Sequence, residues 1–513
     1  MDVRGLMRRS AVFHAGREAV VHGEDRLTFG EAWDRGLWLA NGLLALGLRP
    51  GDRVGVLEDN CLSAADAFIG LGAANLVRVP LYPRNSRRAH AHMLGHTGCR
   101  ALLVTPKYAE AVAGLERELP ALRHVIVRDD DTYEVWLAAQ APADPDPPVD
   151  PGDWYVIRHT AGTTGLPKGV AYSHHAWLAA GRDWFYAWPP VEAGDRCLHV
   201  GPISHASGYL FVPIWMSGGS NVMMDHFDAR ECLDLMEGER IAYMFAAPTM
   251  LADLARHPSA RGRDWSALKV LNVGGAPISD DTAHLAHDVF GDALYQVYGQ
   301  TEAVPVTMMS AREWFATVDG SSPLRSAGRP LPFAALEVVD DNAQPLPIGE
   351  IGEIALRCDG QMLGFWEDEG ATKERLVDNW VLTGDMGRVD ENGYVYILDR
   401  KHDMIVSGGF NIWPAELENA IADHPAVLEA AVFAIPDGHW GETPMAVCSV
   451  DGGTPVTEEE IIDLCRQRLG SYKKPSRVEF TTGPLPRTPV GKLDRKALRE
   501  PHWHGTDRRV GGG

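Results

Sequence analysis

The chain has 513 residues, of which 45% are hydrophobic, and its 70 acidic residues against 48 basic ones give a net charge of −22. This length is too great for one core and predicts at least two domains. The acidic balance argues against nucleic acid or an anionic membrane surface as the main partner.

The seven cysteines are scattered and form no CxxC pair, and the most apolar long stretch, Ala64 to Tyr82, is interrupted by Asp66 and Arg78. We therefore expect no disulfide framework, no zinc site and no membrane-spanning helix. This cysteine usage is typical of a reducing compartment, so we expect the protein in the cytoplasm.

The first part of the chain alternates helical and strand patterns. Phe29 to Leu46 has the periodicity of an amphipathic helix, with Thr28 as its N-cap and Glu31 placed to complete a capping box. Short apolar runs predict strands at Arg53–Leu57, Ala101–Val104, Trp154–Ile157 and Val270–Val273. Such alternation predicts α/β layers with largely parallel sheets.

The stretch HTAGTTGLPKGV, from His159 to Val170, is rich in glycine and hydroxyl groups and contains one lysine. Glycines allow backbone amides to approach an oxyanion, hydroxyls donate to it, and a lysine adds a cation. These groups are Thr160, Gly162, Thr163, Thr164, Gly165 and Lys168. They favour polyphosphate binding, although not through the common P-loop, in which the lysine follows a glycine and precedes Ser or Thr. The alternative is a flexible surface turn.

Further along the chain the pattern changes twice. From about residue 327 to 398, short strands alternate with Gly and Pro turns, as in a small barrel-like subdomain. After Asp399 the pattern predicts an α+β domain of about a hundred residues. The fold class is thus α/β, with a large N-terminal domain of layered α/β subdomains and a β-barrel-like subdomain (1–399), a small α+β C-terminal domain (400–500), and a disordered polar tail (501–513).

Four further motifs follow in order: YGQTE at residues 298–302, TGD at 383–385, DRKHDMI with SGGFN at 399–411, and PRTPVGK at 486–492. Together with the glycine-rich loop, this ordered set resembles the adenylate-forming superfamily of acyl-CoA synthetases, luciferases and adenylation domains. The resemblance extends from about Leu27 to Arg495. It implies a C-terminal domain that moves between two half-reactions.

The resemblance implies roles for the matching residues in binding ATP. The glycine-rich loop would hold the β- and γ-phosphates, and Glu302, beside Thr301, would bind Mg²⁺, which prefers hard oxygen ligands. Adenine would lie against the small residues Gly274, Gly275 and Ala276, with Tyr298 and Gly299 on its other side. Asp385 would accept the ribose hydroxyls, and Arg400 would donate to ribose or phosphate.

The remaining implied roles concern the acid and the thiol. Lys492 would stabilise the charge that builds up as a carboxylate attacks the α-phosphorus of ATP. His205 matches a family position near the carboxylate and the thiol entrance, and Gly408 and Gly409 would line the pantetheine tunnel. The hinge would fall at His402, and Tyr209 and Phe211 would be pocket walls by analogy. Ala161, Val297 and His402 depart from the residues that are usual in the family.

We therefore predict an AMP-forming ligase that uses ATP, Mg²⁺ and coenzyme A to convert a small carboxylic acid into an acyl-adenylate and then a thioester. The alternative activity is adenylation followed by transfer to a carrier-protein thiol, an amine or another acceptor, or activation of a non-carboxylate oxyacid. A catalytically silent nucleotide-binding protein is an alternative of another class. The intact Glu302, Asp385, Arg400 and Lys492 argue against it.

Overall fold

The computed structural model describes residues 1–129, 131–160, 167–401, 403–407, 410–488 and 492–503. These residues pack into two compact units. The first unit contains Met1–Thr317, Ala327–Ala335 and Leu356–Val381, and the second contains Val318–Ser326, Leu336–Ala355 and the chain from Leu382 onward. Packing thus groups part of the predicted barrel-like subdomain with the C-terminal residues, whereas the sequence placed a boundary at 399/400.

The helices follow the amphipathic patterns of the sequence, and several begin at a residue whose side chain caps the first turn. Their bounds are α1 Val3–Phe13, α2 Phe29–Ala45, α3 Ala64–Ala73, α4 Arg87–His96, α5 Ala109–Val112, α6 Leu115–Glu118, α7 Thr132–Ala138, α8 His174–Tyr186, α9 Gly208–Met216, α10 Ala229–Gly238, α11 Pro248–Arg256, α12 Asp280–Phe290, α13 Ala311–Trp314, α14 Glu369–Arg375, α15 Pro414–Ala422, α16 Glu458–Leu469 and α17 Arg495–Arg499. The predicted capping box at α2 is confirmed, because the Thr28 hydroxyl accepts from the Glu31 amide and Glu31 accepts from the Thr28 amide.

The strands include the four that the apolar runs predict, of which β7 and β12 extend beyond the predicted bounds. Their bounds are β1 Glu18–His22, β2 Asp25–Thr28, β3 Arg53–Leu57, β4 Val77–Pro80, β5 Ala101–Val104, β6 His124–Val127, β7 Trp154–Thr160, β8 Lys168–Ser173, β9 Arg196–His199, β10 Ser220–Met223, β11 Tyr243–Ala246, β12 Val270–Gly274, β13 Leu294–Gln300, β14 Ala303–Ser310, β15 Arg329–Pro330, β16 Ala334–Val339, β17 Gly352–Cys358, β18 Gly364–Phe365, β19 Leu376–Val377, β20 Trp380–Val389, β21 Val395–Arg400, β22 Ile405–Ser407, β23 Phe410–Ile412, β24 Val427–Asp437, β25 Gly441–Val450 and β26 Arg477–Thr481.

Two sheets form the centre of the first unit. One has the order β15-β14-β13-β12-β11-β9-β10-β1-β2 and is parallel from β13 to β1, and the other has the order β18-β8-β7-β4-β3-β5-β6 and is parallel from β7 to β6. Helices cover the strands, and all four residues of β5 are buried, as expected of parallel strands that read as apolar runs. The predicted α/β layers with largely parallel sheets are confirmed.

The second unit contains a smaller α+β arrangement. β20 pairs with β21 in antiparallel fashion, and β24 and β25 form a long antiparallel pair, to which β26 adds in parallel. α15 and α16 pack on this sheet around buried Ile421 and Ile461. Residues 500–503 form a 3₁₀ turn, and the Trp503 indole donates to the Ala434 carbonyl at 2.9 Å.

Residues 504–513 lie outside the described part of the chain, so the tail prediction stays a prediction for them. Among the described helices, none combines the length and the apolar character that crossing a bilayer requires.

Candidate functional site

The glycine-rich loop connects two antiparallel strands of the first unit. Thr160 ends β7 and pairs with Lys168, which begins β8, so the structure brings the two predicted phosphate ligands at the base of the loop side by side. Lys168 is partly exposed, with its Nζ 3.9 Å from an Asp368 carboxylate oxygen and 5.4 Å from the centre of the Phe365 ring. The remaining loop residues of the prediction, Gly162, Thr163, Thr164 and Gly165, lie outside the described residues, as does Ala161.

The predicted adenine-binding residues lie at the carboxyl ends of two adjacent parallel strands. Gly274 ends β12 and pairs with Val297 of β13, and a Cβ at Gly274 would come within 2.6 Å of Val297. Gly275 has φ = 89°, a conformation that favours glycine, and it is exposed together with Ala276. Half-buried Tyr298 follows Val297, so the chain offers a flat, open backbone surface beside an aromatic ring. Ligands of parallel sheets bind at this edge.

Glu302 lies in the turn between β13 and β14 and is buried, with 6% of its surface exposed. Its carboxylate is 3.5 Å from Arg375, which also donates to the Gln300 side chain at 3.3 Å. The Tyr172 hydroxyl of β8 donates to the carbonyl of Thr301 and so ties this turn to the strand that carries Lys168. Arg375 was not predicted from the sequence, because it belongs to no motif and lies more than 70 residues from Glu302.

A divalent cation would find only part of its ligand set here. Among the described residues, no group of three or more His, Cys, Asp or Glu side chains could hold a metal ion. One buried carboxylate near the hairpin that the sequence predicts to bind phosphates fits Mg²⁺, which is commonly held by one or two carboxylates together with substrate phosphates. It does not fit a metal that needs a complete protein cage.

His205 lies in the loop after β9, and Asn60 fixes this loop. The buried Asn60 amide donates to the carbonyls of His199 and Gly201, and its oxygen accepts from the Ile203 amide. Tyr82 meets the His205 ring edge-on at 5.4 Å. Asn60 and Tyr82 each follow the carboxyl end of a parallel strand, a signal that could have identified them.

Tyr82 also connects this loop to the hairpin of β7 and β8, because its hydroxyl donates to the carbonyl of His159. Burial lowers the pKa of His159 to about 3, and the nearby imidazoles of His96 and His92 act in the same direction. The His159 imidazole is therefore neutral at pH 7, and it adds no charge beside Thr160 and Lys168.

In the second unit, the structure brings Asp385 and Arg400 together. They are partners across β20 and β21, and Arg400 Nε is 2.8 Å from a carboxylate oxygen of buried Asp385. Arg400 also donates to the Thr383 carbonyl at 3.2 Å. Gly384 has φ = 68° and donates its amide to Glu353 at 2.8 Å, which fixes the turn before Asp385. A carboxylate paired with a guanidinium offers both acceptors and donors to a ribose or phosphate.

Lys492 is exposed and belongs to the second unit. Its amide donates to the Thr488 hydroxyl at 3.1 Å, its carbonyl accepts from the Thr488 amide at 2.7 Å, and Arg487 bridges Leu493. The predicted hinge and tunnel residues His402, Gly408 and Gly409 lie outside the described residues.

Comparison with known protein families decides the family. The model of the AMP-binding enzymes matches residues 7–366, and that of the AMP-binding enzyme C-terminal domain matches residues 416–492. The chain belongs to the AMP-binding enzymes. The predicted adenylate-forming family and α/β fold class are thereby confirmed.

Relatives of this AMP-binding enzyme match over nearly its whole length. A feruloyl-CoA synthase from Amycolatopsis sp is 37% identical, covering 94% of this chain and 95% of its own. A fatty acid–[acyl-carrier-protein] ligase from Streptomyces coeruleorubidus is 33% identical, with coverages of 97% and 96%. The crystal structure of ATP-bound MatB from Rhodopseudomonas palustris is 27% identical and superposes with a TM-score of 0.88 over 98% of this chain and 99% of that one. The predicted enzyme class is an acid–thiol ligase, and the names of the two relatives above place them in this class.

Proposed function

We propose that the protein is an ATP-dependent carboxylate–CoA ligase that forms an acyl-adenylate and then an acyl-CoA thioester, releasing pyrophosphate and AMP. The observation that carries the proposal is that strand pairing within each unit places motif residues side by side: Thr160 beside Lys168, Gly274 beside Val297 and Tyr298, and Asp385 beside Arg400. These pairs supply donors for phosphates, a flat surface for a base, and a carboxylate for a ribose.

In the first half-reaction, Thr160, Lys168 and the rest of the loop hold the outer phosphates of ATP, and Arg400 and Asp385 hold the nucleoside. Mg²⁺, when bound by Glu302, offsets negative charge on the phosphates. Lys492 supplies a cation to the oxygens that gain charge as the carboxylate attacks the α-phosphorus. A cation placed there in advance stabilises the transition state more than the ground state.

In the second half-reaction a thiol attacks the carbonyl of the acyl-adenylate, and AMP leaves. Coenzyme A is the acceptor that we propose, with Gly408 and Gly409 lining its path and the small C-terminal domain moving between the two steps. A carrier-protein thiol is the alternative acceptor, because the Streptomyces coeruleorubidus relative is named for that transfer. All seven cysteines are free thiols, which supports a reducing cytoplasm as the location.

The test is a coupled AMP-release assay over short, medium-chain and aromatic acids, each with and without coenzyme A. We expect one acid class to give AMP release that depends on both the acid and coenzyme A. Acid-dependent pyrophosphate exchange without stimulation by coenzyme A would instead indicate another acceptor. No acid-dependent exchange at all would indicate a silent nucleotide-binding protein and would contradict the proposal.

A further inference from the structure

Arg158 is a charged side chain enclosed in the first unit. It belongs to β7, two residues before Thr160, and none of its surface is exposed. Its Nη2 donates to the Ser204 carbonyl at 3.3 Å. Its Nε and Nη1 have no hydrogen-bond partner among the described residues, and it forms no ion pair with any of them. The guanidinium thus keeps two unused donors and an uncompensated charge.

Other enclosed arginines of the same unit each face a carboxylate. Arg35 is 2.8 Å from an oxygen of Asp66, Arg78 is 3.5 Å from Glu58, and Arg128 pairs with the same Glu58. Burying a charge without a partner is very costly, so buried charges are normally paired. Arg158 is an exception to this pairing. A buried polar group left without a partner calls for an explanation, such as a bound ion or ligand.

The surroundings of Arg158 contain the kinds of group that contact organic anions. The guanidinium carbon is 4.1 Å from the centre of the Tyr209 ring, and this ring stacks on Trp177 at 4.8 Å. The buried Ser204 hydroxyl also has no hydrogen-bond partner among the described residues, so it is a further donor. Ser204 directly precedes His205, which the sequence associates with the acid. The site therefore combines aromatic walls, a cation and a hydroxyl.

The carboxylates of Glu58 and Glu302 already face other arginines. Arg78 and Arg128 share the single carboxylate of Glu58. Burial lowers the pKa of Arg78 to about 10, and repulsion from Arg158 acts in the same direction. The carboxylate of Glu302 is taken up by Arg375 at 3.5 Å. Among the described residues, neither Glu58 nor Glu302 therefore forms an ion pair with Arg158.

We propose that Arg158 binds a second anionic group of the acid substrate, so that the protein activates dicarboxylic or similarly dianionic acids. This inference rests on the proposed function and specifies its substrate class. The reacting carboxylate is a poorer partner, because a guanidinium pair would withdraw charge from the oxygen that must attack phosphorus. A second carboxylate stays outside the chemistry and can remain bound to Arg158 through both half-reactions.

The test compares succinate and phthalate with butyrate and 2-methylbenzoate, in which a methyl group replaces the second carboxylate, in acid-dependent pyrophosphate exchange. We expect wild type to prefer the diacids at least tenfold in kcat/KM. Arg158→Met should lose about 10²-fold on the diacids, since a charge-assisted hydrogen bond is strong and two are lost, and less than threefold on the monoacids. The KM for ATP should stay within threefold, and Arg158→Lys should retain part of the diacid preference.

Thermal unfolding of the acid-free protein gives a readout that does not depend on activity. Replacing an unpaired buried cation by methionine should leave the melting temperature unchanged or raise it. Arg128→Met, the matched control, removes a buried guanidinium that pairs with Glu58 and donates to the Ser63 carbonyl at 2.7 Å, and it should lower the melting temperature. Succinate and phthalate should raise the melting temperature of wild type but not that of Arg158→Met.

Three results would overturn the inference. The first is an equal loss on diacids and monoacids. The second is a rise in the KM for ATP alone, which would assign Arg158 to the nucleotide. The third is a melting temperature of Arg158→Met as low as that of Arg128→Met. If none of the acids supports pyrophosphate exchange by the wild-type protein, the proposed function fails. The melting temperatures with succinate and phthalate then still decide whether Arg158 binds such anions.

Discussion

Asp399, the residue before Arg400, makes the stability of the second unit depend on pH. Its carboxyl is buried and accepts hydrogen bonds from the amides of Arg400 at 2.7 Å and Ala415 at 2.9 Å. Burial raises its pKa from 3.8 to about 7, against the attraction of Arg495 and with the help of the Glu418 charge. The fold therefore favours the protonated form.

The sign and size follow from linkage. A carboxyl whose pKa is higher in the folded state contributes stability that is complete below pH 3.8 and is lost as pH rises through about 7. The rise of this pKa from 3.8 to about 7 corresponds to about 4 kcal/mol of unfolding free energy. About 2.5 kcal/mol of this stability is lost between pH 5 and pH 8. Asp399→Asn cannot ionise, so it should lack this loss.

Hydrogen exchange of the β24 and β25 amides, measured at increasing urea concentrations at pH 5 and pH 8, reports the unfolding free energy of this unit. We expect the difference between wild type and Asp399→Asn to change by about 2.5 kcal/mol between the two pH values. Asp451→Asn is the control, because hydrogen bonds from Thr454 and Gly453 lower the pKa of Asp451, which then titrates below this range. The same pH dependence in wild type and Asp399→Asn would refute the reasoning.

Two further variants test the division of labour within the site. Lys492→Ala should reduce adenylate formation by about 10²–10³-fold, as is typical when one such donor is lost, yet largely spare thioester formation from a premade acyl-adenylate. Exposed Lys496→Ala is the control. Equal loss of both activities would contradict the two-step assignment. Arg375→Met should lower the Mg²⁺ concentration for half-maximal pyrophosphate exchange by about fivefold, because an ion pair of about 1 kcal/mol no longer competes with Mg²⁺ for Glu302. The control variant, exposed Lys373→Met, should leave this Mg²⁺ concentration unchanged. An increased Mg²⁺ requirement would show that Arg375 assists the phosphates instead.

Local patterns were sufficient to predict much of the fold. β3 and β5 match the predicted strands Arg53–Leu57 and Ala101–Val104 in both bounds, because strands buried on both faces must be apolar throughout. The α2 capping box was predictable since its two partners are three residues apart. The pairing of β7 with β8, which places Thr160 beside Lys168, was not predicted, although a loop between two strands is compatible with such a hairpin.

Contacts between distant segments could not be predicted. Arg375 meets Glu302, and Arg158 meets Ser204 and Tyr209, only because several strands and helices pack together. In the sequence, Arg158 is one polar residue in a strand and carries no sign that its neighbours leave its charge unpaired. The grouping of Leu336–Ala355 with the second unit is likewise a result of long-range packing.

The central claim is that the protein activates a carboxylate with ATP, with displacement of pyrophosphate. Exchange of labelled pyrophosphate into ATP tests it most directly, with Mg²⁺ present and the acid added or omitted. We predict exchange that requires the acid and falls by at least 10²-fold in Glu302→Gln. Exchange that is absent for every acid, or that proceeds equally without one, would contradict the account.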